Sequence, residues 1–237
     1  MESYEKLIDK YKGQEKCAFV LGAGTSLYDC WSKFVFPEIF NHVVVAVNSG
    51  IVATNWEEGD PEDRYWISND ALCMRWTWWE KVKKSKATKI VRNSWLKHED
   101  KIKDFLIFHP RPTSEDVVNP EDLGLCYPSS VPSAIDLCIQ MDCERIFLLG
   151  VDHYKCGDNK THFWQFMPEE YHQRQLKPAQ GPWEQQKKVF ELNIQAYEAL
   201  REFGIYRNTF IYNCSPLSKV NVFHKIDFEK AVDWAGK

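Results

Sequence analysis

The sequence predicts a single α/β domain, from residue 1 to residue 237, built on a mostly parallel β-sheet flanked by helices. Short runs recur that are apolar throughout, which is typical of strands covered on both faces. Helical patterns lie between several of these runs, and strands that alternate with helices form right-handed βαβ units. The predicted strands occupy residues 17–21, 42–47, 64–68, 88–91, 104–108, 145–149 and 209–212.

Two helices and one long loop complete the predicted domain. The clearest helical pattern covers residues 184–203, where apolar side chains recur on one face. A second helix is predicted after Pro128, with Ser130 as its N-cap. Residues 153–183 are polar and aromatic with little periodicity, which predicts a lid-like loop after the Gly-x-Asp-x-Tyr turn at 150–154.

The composition indicates which classes of partner the protein is expected to bind and in which compartment it is expected to occur. The net charge of −4 provides no overall basic field, so duplex nucleic acid is not an expected partner. No apolar run approaches the roughly 20 residues of a membrane-spanning helix, and the amino terminus has no apolar signal-peptide core. The eight cysteines form no C-x-x-C pair and several lie in apolar patterns, which predicts reduced, buried thiols and a cytoplasmic protein.

The turn after the first predicted strand is the strongest local signal. Gly22 and Gly24 permit a tight turn, and the hydroxyls of Thr25 and Ser26 together with free N–H groups suit a phosphate. Leu27 replaces the third glycine of a dinucleotide fingerprint, and no Lys-Ser or Lys-Thr pair closes the turn as in a Walker loop. The alternative is an ordinary strand-to-helix turn.

Other polar residues follow strands or begin a helix. The carboxyl ends of parallel strands meet at one edge of the sheet, where ligands bind. Asn48 and Asn69 offer amides to a base or ribose, and Asp70 suits a metal or a sugar hydroxyl. Ser129 and Ser130 begin the second helix, whose amino terminus favours an anion. Turn formation and helix capping are the competing interpretations of these residues.

The turn after the sixth predicted strand carries acid–base groups. Asp152 suits a substrate hydroxyl, a metal or a proton, and Tyr154 follows it closely. The competing interpretation of Asp152 is a buried carboxylate that accepts backbone N–H groups and shapes the turn. His172 lies in the predicted lid, where it either approaches a reacting group on closure or is exposed and inert.

A zinc site is the further alternative for the histidines and cysteine near this turn. His153, Cys156 and His162 are ligand types, but their spacing is loose and no fourth ligand is evident. The sequence therefore predicts no metal ligands.

Five motifs occur together in a recognisable order: LGAGTSL (21–27), VAVNSG (45–50), PSSVPSAIDLC (128–138), RIFLLGVDHY (145–154) and NCSPLSKV (213–220). This order resembles a superfamily with a variant Rossmann core. The superfamily contains lipooligosaccharide α-2,3-sialyltransferases, flagellin-modifying motility-associated glycosyltransferases and archaeal 6-hydroxymethyl-dihydropterin diphosphokinases. The resemblance covers about residues 17–220 and implies a Rossmann-like nucleotide-binding domain.

The resemblance also implies residue roles. Tyr154 matches a tyrosine near the leaving phosphate, and Asp152 matches the aspartate of the same turn. Thr25 stands where these families commonly have proline, and the stretch before the long helix lacks their catalytic histidine, so His172 is the nearest candidate. The positions matching nucleotide-binding residues are Gly22, Gly24, Thr25, Ser26, Asn48, Asn69 and Ser129 or Ser130.

The function predicted from these observations is transfer of a sugar from a nucleotide-sugar donor to a hydroxyl acceptor, with no cofactor. Asp152, Tyr154 and His172 are the predicted catalytic residues. One alternative is a Mg²⁺-dependent diphosphokinase that uses ATP on a small hydroxymethyl substrate, with Asp152 and Asp70 positioning the ion. Another is a non-catalytic nucleotide-binding protein. The sequence leaves the acceptor and the oligomeric state open.

Overall fold

An eight-stranded sheet, with every pairing parallel, forms the centre of the computed structural model. The model describes residues 1–33, 38–57, 62–111, 124–126, 128–153, 160–174 and 183–236. The strands of the large sheet are β1 (Cys17–Leu21), β2 (Val43–Val47), β3 (Arg64–Ser68), β4 (Thr88–Arg92), β5 (Leu106–Phe108), β8 (Arg145–Leu149), β9 (Phe210–Asn213) and β10 (His224–Lys225). A two-stranded parallel sheet pairs β6 (Pro110–Arg111) with β7 (Leu125–Cys126).

The strand order is β10-β9-β8-β1-β2-β3-β4-β5. The chain moves outward from β1 to β5, then returns to the other side of β1 at β8 and continues to β10. The order therefore switches direction between β1 and β8, and such switch points open a crevice at the carboxyl ends of the strands. All seven predicted strands are present, and the predicted fold class is confirmed. Three strands of only two residues each, β6, β7 and β10, gave no periodic signal.

Helices cover both faces of the sheet. They are α1 (Ser26–Lys33), α2 (Trp79–Lys84), α3 (Ser130–Gln140), α4 (Trp183–Tyr206) and α5 (Phe228–Ala235). The start of α3 differs from the prediction, because Ser129 is the N-cap and Ser130 is the first helical residue. The reason is that the Ser130 hydroxyl accepts a hydrogen bond from the backbone N–H of Asn69 at 2.9 Å and does not cap the helix.

Two separate apolar cores explain the continuous apolar runs. Along β1, Ala18 and Val20 face one core, whereas Phe19 and Leu21 face the other, and all four are fully buried. Residues of α3 and α4 complete the first core, and residues of α1, α2 and α5 complete the second. Both faces of each central strand are thus apolar, as parallel sheets require.

A buried ion pair fastens the two-stranded sheet to α3. Arg111, in β6, donates two hydrogen bonds from Nη2 to Asp136, at 2.7 Å to Oδ1 and at 2.6 Å to Oδ2. Both side chains are almost completely buried. Asp136 also accepts from the backbone N–H of Cys126 at 2.5 Å and from Gln140 Nε2 at 2.8 Å. The carboxylate therefore joins three chain segments.

The predicted cysteine state agrees with the structure where it is described. Seven cysteines are buried and form no disulfide bond with one another, and Cys156 lies outside the described residues. In the same parts of the chain, no helix is both long enough and apolar enough to cross a membrane.

The predicted lid is described only in part. Residues 160–174 contain two short 3-10 helices, Phe163–Phe166 and Glu169–Tyr171. Phe163 is fully buried in the second core, and its backbone N–H donates to the carbonyl of Ala23 at 3.1 Å. Residues 154–159 and 175–182 lie outside the described residues, so movement of this segment as a lid stays a prediction.

Candidate functional site

The turn between β1 and α1 is held by the turn that follows β8. The backbone N–H of Gly22 donates to the carbonyl of Leu149 at 2.7 Å, and that of Gly24 donates to the carbonyl of Gly150 at 2.8 Å. These bonds join the two sides of the switch point. Gly22 and Gly24 thus allow a close approach between two backbone segments.

Asp152 anchors this turn through hydrogen bonds that its side chain accepts. It is 3% exposed, and its Oδ2 accepts from the backbone N–H of Ser26 at 2.8 Å and from the Thr25 hydroxyl at 3.1 Å. The Ser26 hydroxyl donates to its other oxygen, Oδ1. A buried carboxylate that shapes the turn was one of the two interpretations left by the sequence, and this geometry corresponds to it. The Thr25 and Ser26 hydroxyls expected to contact phosphate are bonded to Asp152.

Replacing Gly24 with alanine should destabilise this turn. A Cβ at Gly24 would lie 2.6 Å from Asp152 Oδ2 and 2.7 Å from the Gly150 carbonyl oxygen, so the turn would have to shift. We expect the free energy of unfolding to fall by about 1–3 kcal/mol in urea denaturation. Gly236→Ala is the matched control, because the nearest atom to its Cβ would lie 3.7 Å away. Equal stability of the two variants would contradict this description of the turn.

A second polar cluster links the ends of β2 and β3 to the start of α3. The Asn69 side chain exchanges hydrogen bonds with the Ser133 hydroxyl at 2.9 and 3.2 Å. The Ser130 hydroxyl lies 3.4 Å from Asn48 Oδ1, to which it donates. Asn48 has a φ of 50°, a left-handed conformation that asparagine tolerates better than most residues. Predicted residues from three distant segments are therefore in contact, and Ser133 is a member that the sequence analysis did not identify.

A cavity of about 960 Å³ opens beside this cluster, at the carboxyl ends of β2, β3 and β4. Polar side chains predicted from the sequence form one part of its wall. They are Asn48, Asn69, Asp70, Ser129 and Ser130.

Another part of the wall is basic and was not predicted. Arg92 ends β4, and Lys97, His98 and Lys101 lie on the 3-10 helix that follows it, Asn93–Lys101. Arg75 contributes a further guanidinium. We call Arg75, Arg92, Lys97 and Lys101 the cationic wall. The rule that placed Asn48 and Asn69 at the site also applies to the end of β4, so the position of Arg92 was the available signal.

A second cavity, of about 210 Å³, adjoins the first. Asn48, Asp70, Leu72 and Arg75 border both. Aromatic rings form much of the remaining wall of the smaller cavity. They are Trp76, Trp78, His162 and Trp164.

The histidines occupy different environments. His162 lines the smaller cavity, its Nδ1 is hydrogen bonded to the Thr161 hydroxyl at 2.8 Å, and burial lowers its pKa to about 4. Burial likewise lowers the pKa of His153 to about 4, and its Nε2 is hydrogen bonded to the Tyr197 hydroxyl at 3.1 Å. His172 is exposed, and its Nε2 lies 2.8 Å from the carbonyl of Met167.

Of the predicted catalytic residues, the two that the structure describes line neither cavity. His172 and Asp152 are not among the residues that line the two cavities, whereas His162 lines the smaller one. Tyr154 lies outside the described residues.

The carboxylates suggested for Mg²⁺ differ in access. Asp70 borders both cavities, and its Oδ1 accepts from the backbone N–H of Leu72 at 2.8 Å. Both oxygens of Asp152 already accept hydrogen bonds from Thr25 and Ser26. Within the ranges that the structure describes, no group of three or more His, Cys, Asp or Glu side chains is arranged to hold a metal ion.

Comparisons with known proteins show similarity in structure only. No protein-family model matches the chain, and no curated protein sequence matches it. A solved structure of the MAf glycosyltransferase from Magnetospirillum magneticum AMB-1 aligns with 94% of this chain, with a TM-score of 0.56 and 13% identity. This chain spans 37% of the length of that protein. The likeness shows that the two share a fold.

Two further solved structures are of sialyltransferases. One is CstII from Campylobacter jejuni with the substrate analogue CMP-3FNeuAc, at 11% identity and a TM-score of 0.46. The other is CST-II with a trisaccharide acceptor and CMP, at 13% identity and a TM-score of 0.48. Each alignment covers 89% of this chain and 86% of the other.

Proposed function

We propose that this protein is a glycosyltransferase-like enzyme that binds a nucleotide-sugar in the larger cavity and transfers the sugar to a hydroxyl group. The observation that carries the proposal is the division of the cavity wall into a polar part and a cationic part. Amides and hydroxyls suit a nucleoside, and the cationic wall suits its phosphates. The cavity of about 960 Å³ lies at the upper end of the usual range for ligand sites.

The cationic wall provides the electrostatic part of the proposed reaction. In sugar transfer, the bond between the anomeric carbon and the phosphate oxygen breaks, and the electron pair leaves with the nucleotide. Fixed positive charges that face this oxygen stabilise its developing negative charge. Lys97 and Lys101 are placed to do so, together with the amino terminus of α3 at Ser130. Tyr154 retains its sequence-based role near the leaving phosphate.

His162 is our candidate for the group that accepts the acceptor's proton. The acceptor oxygen forms the new bond to the anomeric carbon, and its proton passes to the imidazole. The base must be neutral before it accepts the proton, and His162 meets this condition at pH 7 because burial lowers its pKa to about 4, which also makes it a weaker base than an ordinary histidine. Its place in the wall of the smaller cavity favours it over His172 and Asp152. Asp152 then acts by holding the glycine turn in position.

The His162→Ala variant should lose activity without losing nucleotide affinity. We expect kcat to fall by about 10²–10⁴-fold, the usual contribution of general acid–base catalysis. His172→Ala is the control and should stay within about twofold of the original protein, because surface changes away from a site are nearly neutral. Loss of activity in His172→Ala alone would contradict the assignment.

The pH profile provides a second readout for His162. Only the neutral imidazole accepts a proton, so activity is lost as pH falls through the pKa of about 4. We therefore expect kcat/KM to stay constant from about pH 7.5 to about pH 5, whereas a base with the ordinary histidine pKa of about 6.5 would lose most activity there.

ATP-dependent diphosphoryl transfer is the second candidate. It is favoured by the cationic wall, which also suits a triphosphate, and by Asp70 at the cavity rim, which is placed to contact Mg²⁺. Under this proposal Asp70 and the phosphates hold the ion, since both Asp152 oxygens are engaged. A requirement for a divalent cation distinguishes the two candidates.

The testing experiment measures nucleotide release from CMP-, UDP-, GDP- and ADP-sugars in the presence of EDTA, and AMP formation from ATP in the presence of Mg²⁺, with water as the acceptor of the sugar or the diphosphoryl group. Release from one nucleotide-sugar that depends on His162 supports sugar transfer. AMP formation from ATP that requires Mg²⁺ supports the second candidate. Tight nucleotide binding without turnover in either assay would leave the non-catalytic alternative.

A further inference from the structure

The smaller cavity differs in chemistry from the larger one. Its volume of about 210 Å³ is below the usual range for a nucleotide-sized ligand but sufficient for one ring. Trp76 and Trp164 lie 6.2 Å apart in edge-to-face geometry, and His162 stacks on Trp164 at 5.1 Å between ring centroids. Flat aromatic faces of this kind pack against the apolar side of a ring.

The charges at this cavity balance. Among the described residues that line it, Asp70 and Arg75 are the charged ones, and both lie on the rim shared with the larger cavity. His162 also lines the cavity, and its imidazole is neutral at pH 7 because burial lowers its pKa to about 4. The thiol of Cys73 is also neutral, because burial raises its pKa well above its usual range. Arg75 is therefore the one cation in the described part of this lining, and the carboxylate of Asp70 offsets its charge.

One polar group in the wall lacks a partner. The indole Nε1 of Trp164 is buried, and none of the described residues accepts a hydrogen bond from it. A buried donor without an acceptor is unfavourable. A ligand hydroxyl that reached this N–H would supply the missing acceptor.

We propose that the smaller cavity binds the sugar ring of the donor and that this sugar carries no charge. The inference rests on the proposed function. The nucleotide occupies the larger cavity, and the sugar enters the smaller one past the shared rim at Asp70 and Arg75. Trp76 packs against the C–H face of the ring, Trp164 donates to a hydroxyl, and Asp70 accepts from another. An acidic sugar would place its carboxylate beside two tryptophans and near Asp70, whose charge offsets that of Arg75, and burying a charge without net compensation is unfavourable.

Saturation-transfer NMR with simple glycosides tests this proposal. The probes are the methyl glycosides of glucose, galactose and N-acetylglucosamine, with those of glucuronic acid and N-acetylneuraminic acid as acidic counterparts. Each is measured with the full chain in the presence of CMP, UDP or GDP. We expect a neutral glycoside to bind and its affinity to fall at least about fivefold in Trp76→Ala and about threefold in Trp164→Phe.

Trp234→Ala is the matched control. Trp234 is half-buried like Trp76, but it packs on Tyr212 at 5.2 Å and lines neither cavity. The Trp234→Ala variant should bind the glycosides as the original protein does. This variant, Trp76→Ala and Trp164→Phe should all keep their thermal stabilisation by nucleotide.

The outcomes separate this inference from the proposed function. Preferential binding of an acidic glycoside, or competition by nucleosides for the smaller cavity, would overturn the inference. So would unchanged glycoside binding in Trp76→Ala, or nucleotide binding without binding of any glycoside, although the proposed function would survive. If neither nucleotides nor glycosides bind, both the inference and the proposed function fail.

Discussion

Asp136→Ala should lower the free energy of unfolding by about 3–5 kcal/mol, the usual cost of removing one partner of a buried ion pair. The substitution leaves the Arg111 guanidinium buried without its carboxylate. It also removes the acceptor for Gln140 Nε2 and for the backbone N–H of Cys126. Urea denaturation followed by circular dichroism measures the change.

Glu202→Ala is the control for this prediction. Glu202 pairs with Arg201 at 2.9 Å, but both side chains are largely exposed. Exposed pairs contribute less than about 1 kcal/mol because water and salt screen them. A loss of this small size in Asp136→Ala would show that the two-stranded sheet is not anchored through the Asp136 carboxylate.

The second large effect is expected at the cationic wall. Replacing Lys97 and Lys101 together with glutamate should weaken nucleotide binding at least about 100-fold, because two charge-assisted hydrogen bonds to phosphate are lost and two repulsive charges are added. Isothermal titration calorimetry measures the dissociation constant. Affinity should also fall as salt is raised, more steeply for the original protein than for the variant.

A control variant with the same change in net charge separates the effect of the cationic wall from the effect of overall charge. Lys6→Glu with Lys12→Glu changes the net charge by the same amount at exposed positions near the amino terminus. These lysines do not line either cavity, so affinity should change less than about threefold. Similar losses in both double variants would mean that nucleotides respond to net charge and do not bind at the cationic wall.

The fold was predictable because its determinants are local. Each central strand is a run of apolar residues, and its two faces enter two different cores, as Ala18 and Phe19 illustrate in β1. The two-residue strand β10 was not predictable, because it is defined by its pairing with β9 and its own residues show no strand pattern. The start of α3 shifted by one residue because the Ser130 hydroxyl has a distant partner in Asn69.

The site was predictable where one topological rule suffices. The rule that parallel strands end at one edge placed Asn48, Asn69 and Asp70 beside one cavity. It did not indicate that Asp152 would engage the Thr25 and Ser26 hydroxyls, because that contact depends on how two turns meet.

The histidines illustrate the same limit in the segment 160–174. Periodicity is weak there, and no local pattern distinguishes His162 from His172. The structure separates them by packing: Phe163 is buried in the second core, His162 lines the smaller cavity, and His172 contacts the carbonyl of Met167.

Binding of nucleotides by the original protein tests the central claim most directly. A thermal-shift series with CMP, UDP, GDP, ADP and ATP, each with and without Mg²⁺, compares the five ligands in the same assay. At a hundredfold excess over its dissociation constant, a bound nucleotide adds about 2.7 kcal/mol to the stability of the folded protein. We expect this stabilisation from at least one nucleotide, and its loss when Lys97 and Lys101 are replaced with glutamate. An unchanged melting temperature with all five nucleotides would contradict a nucleotide site at the carboxyl ends of the strands.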